Sequence, residues 1–290
     1  MDYIVYQAYG NIDNLNECLY SLFTLKKHAD KNQIIVYTDQ GDYLKKHAPV
    51  SLNVHYRTIG AREISEWRGP FNFVHRFKIV LLLDLVSSIP GKHNILYVDT
   101  DTTFRSATDV LFNQIETGNL FMHQDEGKIR DKRNRNLIFA KITTYSKSKK
   151  RHSNLIPADQ NMWNAGVLGF RSTDVDKLHE ALDMTDKIYS EFPKHIVEQL
   201  AFSIVFSRDD TRTLLAAENH IFHYWNFKEF RMVLRELFAQ KRTEADVVSR
   251  LDHINPERLI QPKLEYENLP FFQKQLKKIL GKWKMPDYEI

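Results

Sequence analysis

Two aspartates one residue apart, Asp99 and Asp101, close the short apolar run Ile95-Leu96-Tyr97-Val98. The run reads as a buried strand. If strand geometry persists through Asp101, both carboxylates point to one face, because side chains alternate with period two. Two carboxylates aimed together make a poor core and a good seat for a divalent cation, which takes oxygen ligands. Open α/β sheets bind ligands at the carboxyl ends of their strands. A cation held there can bridge a diphosphate, so the chemistry predicted is transfer from a nucleotide-linked donor.

The triplet alone is weak evidence, since about one is expected by chance in a chain this long. A second one, Asp174-Val175-Asp176, has no apolar strand before it. It reads as a helix start, with Thr173 or Ser172 as N-cap and acids suited to the helix dipole. The chemistry therefore rests on the setting of Asp99. The plain alternative there is a strand-end cap beside a solvated acid.

The elements that must position this pair are legible. Tyr3 to Tyr6 reads as a first strand. Leu15, Cys18, Leu19, Leu22 and Phe23 recur at helical spacing, and Ile34 to Thr38 is a second strand closed by Asp39. Strand, helix, strand is a βαβ unit with a parallel sheet. Val54 to Tyr56 and Leu120 to His123 are further short strands, and Phe73 to Val86 is a buried helix. Helices follow over 174–191 and 195–207, and the chain beyond 228 reads as helical and charged. The fold class expected is α/β. With 290 residues, 42% of them hydrophobic, the chain suits one large domain or a domain plus an appendage. A net charge of +4 gives no reason to expect a nucleic-acid partner. The single Cys18 excludes an internal disulfide and a cysteine zinc cluster. There is no P-loop and no G-x-G-x-x-G, which speaks against ATPase or dinucleotide chemistry. No signal peptide is visible at Met1 to Gln7, and no apolar run is long enough to cross a bilayer. The expectation is a cytoplasmic protein, peripheral at most to the inner face of the membrane.

Several segments together resemble the GT-A glycosyltransferases, in particular the family-eight-like enzymes that use nucleotide sugars. These are Tyr97-Val98-Asp99-Thr100-Asp101, His75-Arg76-Phe77-Lys78 on the preceding helix, Asn164-Ala165-Gly166-Val167, Glu198-Gln199 opening a later helix, and His223 followed by Lys228. Order and rough spacing agree over about residues 3–230. Leu200 stands where such enzymes usually place an acid after the glutamine, and the spacing from His223 to Lys228 is not the common one.

The resemblance implies a GT-A-like, Rossmann-like mixed sheet, mostly parallel and flanked by helices. It implies a catalytic domain over 1–235 and a helical, basic appendage over 236–290. Asp99, Asp101 and His223 become metal ligands, with His220 competing for the histidine role. An imidazole ligand suits Mn²⁺ better than Mg²⁺. Lys228 is the cation expected to neutralise the departing diphosphate. Arg76 and Lys78 do not share a helix face, so one reaches the donor and Arg76 is favoured. Thr100, Asn164, Ala165 and Gly166 would meet the donor, and Glu198 or Gln199 would face its anomeric carbon, with retention the implied outcome. From position alone, Ala8, Tyr9 and Asp39 form the nucleotide wall, with Tyr9 able to stack on a base.

Two charged segments remain. Residues 128–151 are a basic insert, read as a solvated loop or helix, or as a lid over an anionic acceptor. Phe271, Phe272, Leu276, Ile279, Leu280 and Trp283 share 271–284 with five lysines. Such a helix either docks on the domain or lies on an anionic membrane surface. The partners expected are a nucleotide-sugar donor and a saccharide or lipid-linked acceptor. The rival functions are a sugar nucleotidyltransferase, whose glycine-rich basic signature Gln7-Ala8-Tyr9-Gly10-Asn11 lacks, and an inactive nucleotide-binding protein of the same fold.

Overall fold

The computed structural model describes residues 1–28, 32–131, 136–148, 155–240, 242–279 and 281–290. It opens with β1 (Asp2–Gln7), α1 (Ile12–Lys27), β2 (Gln33–Thr38), α2 (Gly41–His47), β3 (Val54–Thr58), α3 (Ala61–Arg68) and α4 (Arg76–Ser88). Then come β4 (Asn94–Val98), β5 (Thr102–Phe104), α5 (Asp109–Glu116), β6 (Leu120–Lys128), α6 (Leu137–Ser148) and β7 (Asn161–Arg171). The remainder is α7 (Val175–Tyr189), α8 (Val197–Ser207), β8 (Leu214–Ala216), β9 (Ile221–His223), α9 (Phe230–Ala239), α10 (Glu244–Arg250), α11 (Pro256–Leu259), α12 (Gln261–Asn268) and α13 (Phe271–Ile279).

Among the described residues, seven strands form one sheet in the order β3-β2-β1-β4-β7-β6-β8. The first four are parallel, β7 runs antiparallel to β4 and β6, and β8 is parallel to β6. The central strands are apolar on both faces, as parallel strands covered by helices must be. Ile4, Tyr6, Ile34, Val36, Leu96 and Val98 join one core, with α1, α5 and α9 to α11. Val5, Tyr37, Ile95 and Tyr97 join the opposite core, with α4, α7 and α8. This is the period-two alternation of a three-layer α/β/α sandwich.

Local signals explain the ends. Asn11 caps α1, its side chain accepting from Asp13 N at 2.9 Å, and Gly10 turns the chain at φ +82°. α1 is almost wholly buried, so its acids take partners from α9: Arg231 binds Glu17 and Arg235 binds Asp13.

Some expectations are corrected. Strand geometry stops at Val98 and the chain bends through Asp99 to Asp101, so alternation is not what brings the two aspartates together. α7 starts after a 3₁₀ turn at Ser172–Asp174, and neither Ser172 nor Thr173 caps it. Asp174 instead accepts from Arg171 N at 2.9 Å and pairs with Arg212. The boundary drawn at 235/236 falls inside α9, and Leu237, Val247, Leu251, Ile254 and Leu259 belong to the same core as Ile4. α13 leaves Phe271, Phe272 and Leu276 exposed, and Trp283, Met285, Tyr288 and Ile290 pack back on that core. Within the basic insert, α6 buries Phe139 and Ile142, whereas residues 132–135 and 149–151 lie outside the described residues, as does Leu280.

Candidate active site

A cleft of about 1170 Å³ opens at the carboxyl ends of the central strands, and Asp99, Thr100 and Asp101 lie in its wall. β5 pairs antiparallel with β9 in the register Thr102↔His223, and Tyr224 N donates to Asp101 O at 3.0 Å. The chain leaving Asp101 is thus bonded to the strand that carries His223. One ligand atom from each of Asp99, Asp101 and His223 can be chosen so that all lie within 4.8 Å of one another. His220 sits elsewhere, bonded through Nδ1 to Ser106 Oγ at 2.9 Å.

The hydrogen bonds fix the tautomer of His223. Asn164 Oδ1 accepts from Gly166 N at 2.9 Å and faces His223 Nδ1 at 3.0 Å, while Asn164 Nδ2 donates to Glu126 at 3.1 Å. An amide oxygen can only accept, so Nδ1 carries a proton. In the neutral ring the Nε2 lone pair then faces Asp101 Oδ1 at 3.1 Å and Asp99 Oδ2 at 3.9 Å. A lone pair directed at two carboxylates requires a positive charge among them. Two oxygen donors and one imidazole suit a divalent transition ion, so the residues present fit such an ion, and Asn164 orients its nitrogen ligand. Gly166 makes room for this: a Cβ there would stand 2.2 Å from His223 Nδ1.

Lysines supply charge beside the triad. Lys228 Nζ donates to Asp101 Oδ2 at 2.8 Å. Burial opposes ionisation of Asp101, but His223 and Lys228 outweigh it and hold the carboxyl well below its usual range. Lys78, on α4, is 3% exposed. Its Nζ donates to Ala165 O at 2.8 Å and lies 3.2 Å from Glu198 and 3.3 Å from Asp99. Burial works against its charge, yet Asp99 and Glu198 hold the ammonium above its usual range. Burial pushes the Glu198 carboxyl up to about 7 against the pull of Lys78.

Of the remaining expected residues, Gln199, Tyr9 and Asp39 line the cleft. Tyr9 packs on Phe77 with ring centroids 4.6 Å apart, and Asp39 accepts from Gly10 N at 3.1 Å. Two others are not brought to it. Ala8 is fully buried in the core. Arg76 turns away: its Nε and Nη2 bind Asp186 at 2.8 and 3.1 Å, and Nη1 donates to Trp67 O at 2.8 Å. The expectation that Arg76 reaches the donor is not met, because α7 presents Asp186 to the first turn of α4. Sequence reasoning missed Glu126, Arg68, His75 and the Glu17–Arg231 pair, all of which line the cleft. Glu126 follows a recognised strand, and a continuation of that strand by three residues was the available signal.

The mixed sheet, with a metal-competent triad at the end of its central strand, has the GT-A glycosyltransferase fold. No family model and no curated protein matches the sequence. Solved structures do. A structure of an active-site mutant of LgtC superposes with a TM-score of 0.51 at 14% identity, over 86% of this chain and 100% of that one. A structure of the galactosyltransferase LgtC with donor and acceptor sugar analogs gives 0.50 at 14%, over 86% and 100%. Mouse xyloside xylosyltransferase 1, apo form, gives 0.49 at 9%, over 74% and 85%. At 14% identity the likeness to LgtC is one of fold.

Two outcomes follow from this geometry. Gly166→Ala should displace the His223 ring and weaken Mn²⁺ binding by about tenfold or more, read by calorimetric titration, with the fold intact by circular dichroism. An unchanged affinity would break the link between Gly166 and His223. The second concerns pH. Between 4.5, the ordinary Glu198 value, and about 7, folded Glu198 holds a proton that the unfolded chain has lost. The unfolded state then binds fewer protons, so this group's contribution to stability falls as pH rises, by at most about 1.4 kcal/mol per unit. Glu198→Gln removes this titration, so the stability of the parent relative to the variant should decline across that window in urea unfolding. A flat difference would show that burial does not raise the Glu198 carboxyl.

Proposed function

We propose that this protein is a glycosyltransferase that moves a sugar from a UDP-linked donor onto a saccharide or lipid-linked acceptor, using Mn²⁺ or Mg²⁺. The observation that carries the reading is the approach of His223 Nε2 to Asp101 Oδ1 at 3.1 Å and Asp99 Oδ2 at 3.9 Å in the wall of the cleft. It is supported by a GT-A fold shared with a galactosyltransferase whose structure holds donor and acceptor sugar analogs.

Asp99, Asp101 and His223 would hold the ion, which when bound supplies positive charge to a donor diphosphate. Lys228, half exposed at the cleft, adds a second charge for the leaving group. Lys78 does not reach for substrate. It neutralises Asp99 and Glu198 and, through Ala165 O, fixes the segment that carries Asn164 and Gly166. Asn164 and Gln199 offer amides to sugar hydroxyls, while Tyr9 and Asp39 offer a face and a carboxylate to the nucleotide. The resemblance noted in the sequence implies retention at the anomeric carbon.

α13 bears on where this happens. Among the described residues no helix is long and apolar enough to cross a membrane. α13 carries exposed Phe272 and Leu276 one turn apart, beside Lys277 and Lys278. We read it as a contact with anionic lipid at the cytoplasmic face, the setting in which a lipid-linked acceptor is met.

The test of the central claim is ligand-linked stability. With UDP and Mn²⁺ at one hundred times the dissociation constant, the parent should gain about 2.7 kcal/mol. Asp99→Asn and Asp101→Asn should lose that gain, and Asp176→Asn should keep it. Equal gains in all the variants would refute the metal-site assignment. For the membrane contact, Phe272→Ser with Leu276→Ser should abolish sedimentation with phosphatidylserine vesicles at low salt while donor hydrolysis persists. Attraction of about 1 kcal/mol per lysine, fading within a Debye length, makes the parent's binding fall steeply with salt. Parent protein that ignores such vesicles at low salt would sink that assignment.

A further inference from the structure

Trp225 is out of keeping with its neighbours. Tyr224, Phe227 and Phe230 are buried in the core that holds α1 and α9, whereas Trp225 is 55% exposed and lines the cleft. Among the described residues its indole makes no hydrogen bond and no ring contact, while Trp67 and Trp283 both pack on aromatic partners. Val74 and Leu137 are the other exposed large apolar side chains in the cleft wall, and neither is aromatic. A single apolar side chain on an open surface needs no explanation. An aromatic one standing free in a cleft among charged groups is the usual lining of a ligand site.

We propose that Trp225 is the platform on which the acceptor stacks, and that the acceptor is a saccharide whose pyranose ring lies on the indole. This rests on the glycosyltransferase reading above and names the acceptor class within it. Three observations carry it. The first is rigidity. Phe227 N donates to Tyr224 O at 2.8 Å, so Trp225 and Asn226 are the two central residues of a β-turn. Tyr224 N donates to Asp101 O at 3.0 Å, and Asn226 O accepts from Lys263. The turn is held on both sides, and a tryptophan has only two side-chain torsions to freeze, so stacking costs little entropy. The second is place. The turn lies between His223, which faces Asp101 and Asp99, and Lys228, which binds Asp101. Trp225 therefore belongs to the ion and diphosphate end of a bound donor, whereas Tyr9 and Asp39 follow the ends of β1 and β2. The nucleoside has its own aromatic face there, and the second face is left to the second substrate. The third is polarity. Asn164 Oδ1 meets His223 Nδ1 at 3.0 Å, and Asn164 Nδ2 donates to Glu126 at 3.1 Å. One amide thus joins the strand that leads into Trp225 to a carboxylate in the cleft wall.

Glu126 is built to meet a hydroxyl. The register of β6 with β7 shifts between Met122 and Gln124 and again between Asp125 and Gly127, and bulges of this kind re-aim a side chain. The Glu126 oxygens accept from two neutral amides, Asn164 Nδ2 and Gln199 Nε2, the latter at 2.9 Å. A carboxylate has about four acceptor positions, so two are left for a ligand. A pyranose has a face of C–H groups and a rim of hydroxyls, which suits an indole with such a carboxylate close by. An alkyl chain would cover the indole and leave Glu126 unmet. Glu126 here accepts from a hydroxyl that keeps its proton, so the retention implied for the cleft is untouched.

The test separates glycoside binding from donor binding. Methyl β-D-galactopyranoside, methyl β-D-glucopyranoside and methyl β-D-xylopyranoside are titrated by saturation-transfer NMR, with UDP and Mn²⁺ saturating, into the parent, Trp225→Phe and Trp225→Leu. Mn²⁺·UDP affinity is measured alongside by calorimetry. The parent should bind at least one of the three glycosides. Trp225→Leu should weaken that binding by about tenfold, Trp225→Phe should keep most of it, and Mn²⁺·UDP affinity should be the same in all. Parent-like glycoside binding in Trp225→Leu overturns the proposal, and so does a Trp225→Phe variant no better than Trp225→Leu. A loss shared by glycoside and Mn²⁺·UDP overturns it as well, since the indole would then belong to the donor site. So does a parent that binds Mn²⁺·UDP and none of the three glycosides. A parent that binds no nucleotide refutes the glycosyltransferase reading itself, and the role of Trp225 with it.

Discussion

Negative charge crowded at the end of β4 is the constraint on which the rest of the structure depends. Asp99, Asp101 and Glu198 meet where water is scarce, with Asp101 and Glu198 buried. At an effective dielectric near 20, like charges about 4 Å apart repel by about 4 kcal/mol. A fold of marginal stability cannot leave several such contacts uncompensated. Lys78 offsets two of the acids, Lys228 offsets Asp101, and protonation of Glu198 near neutrality relieves part of what remains. A lysine 3% exposed is tolerable only with such partners. Stability and site chemistry are therefore the same arrangement.

Backbone pairing turns this charge cluster into a directed site. The β5–β9 register ties Asp101 to His223 across more than a hundred residues of chain. Gly166 lets the imidazole lie against β7, and Asn164 holds its Nδ1 proton. His123 packs edge-on to the same ring at a centroid distance of 5.3 Å, and burial drives its own pKa down to about 3, so it stays neutral and adds no competing charge. These contacts join three elements, β5, β6 and β7, to His223. Its orientation is thus set by the fold rather than by its own rotamer preference.

Apolar alternation made the sheet readable, because each central strand must cover two helical layers. The positions of Asp99 just past β4 and of Gln199 in the first turn of α8 were legible for the same reason. What local pattern could not carry was pairing between distant elements. Arg76 and Lys78 look equivalent in sequence, and only Asp186, 110 residues on, draws Arg76 away. Ser172 and Thr173 are ordinary capping residues, yet the Arg212–Asp174 pair fixes that turn instead. Asp99 and Asp101 were rightly paired but for the wrong reason, since a bend and a second sheet converge them rather than strand alternation. Glu126 was hidden by the β6 bulges, which leave no mark in a hydropathy pattern beyond a single glycine.

The C-terminal part of the chain reads in sequence as an appendage, but its packing makes it a support for the site. Lys228 lies between two anchors, Phe227 and Phe230, which are fully buried and stack at 5.8 Å. Trp283 packs on Phe227 at 6.2 Å, and Lys263 sits against both rings while bonding Asn226 O and Glu229. Aromatic pairs of this kind contribute about 0.5–1.5 kcal/mol each beyond the area they bury. Lys263 and Trp283 thereby clamp the loop that presents Lys228 to Asp101. α13 lies between these two contacts and packs its aromatic residues on neither. Its exposed apolar face is therefore left free for another surface, while the chain before and after it holds the cation of the cleft in place.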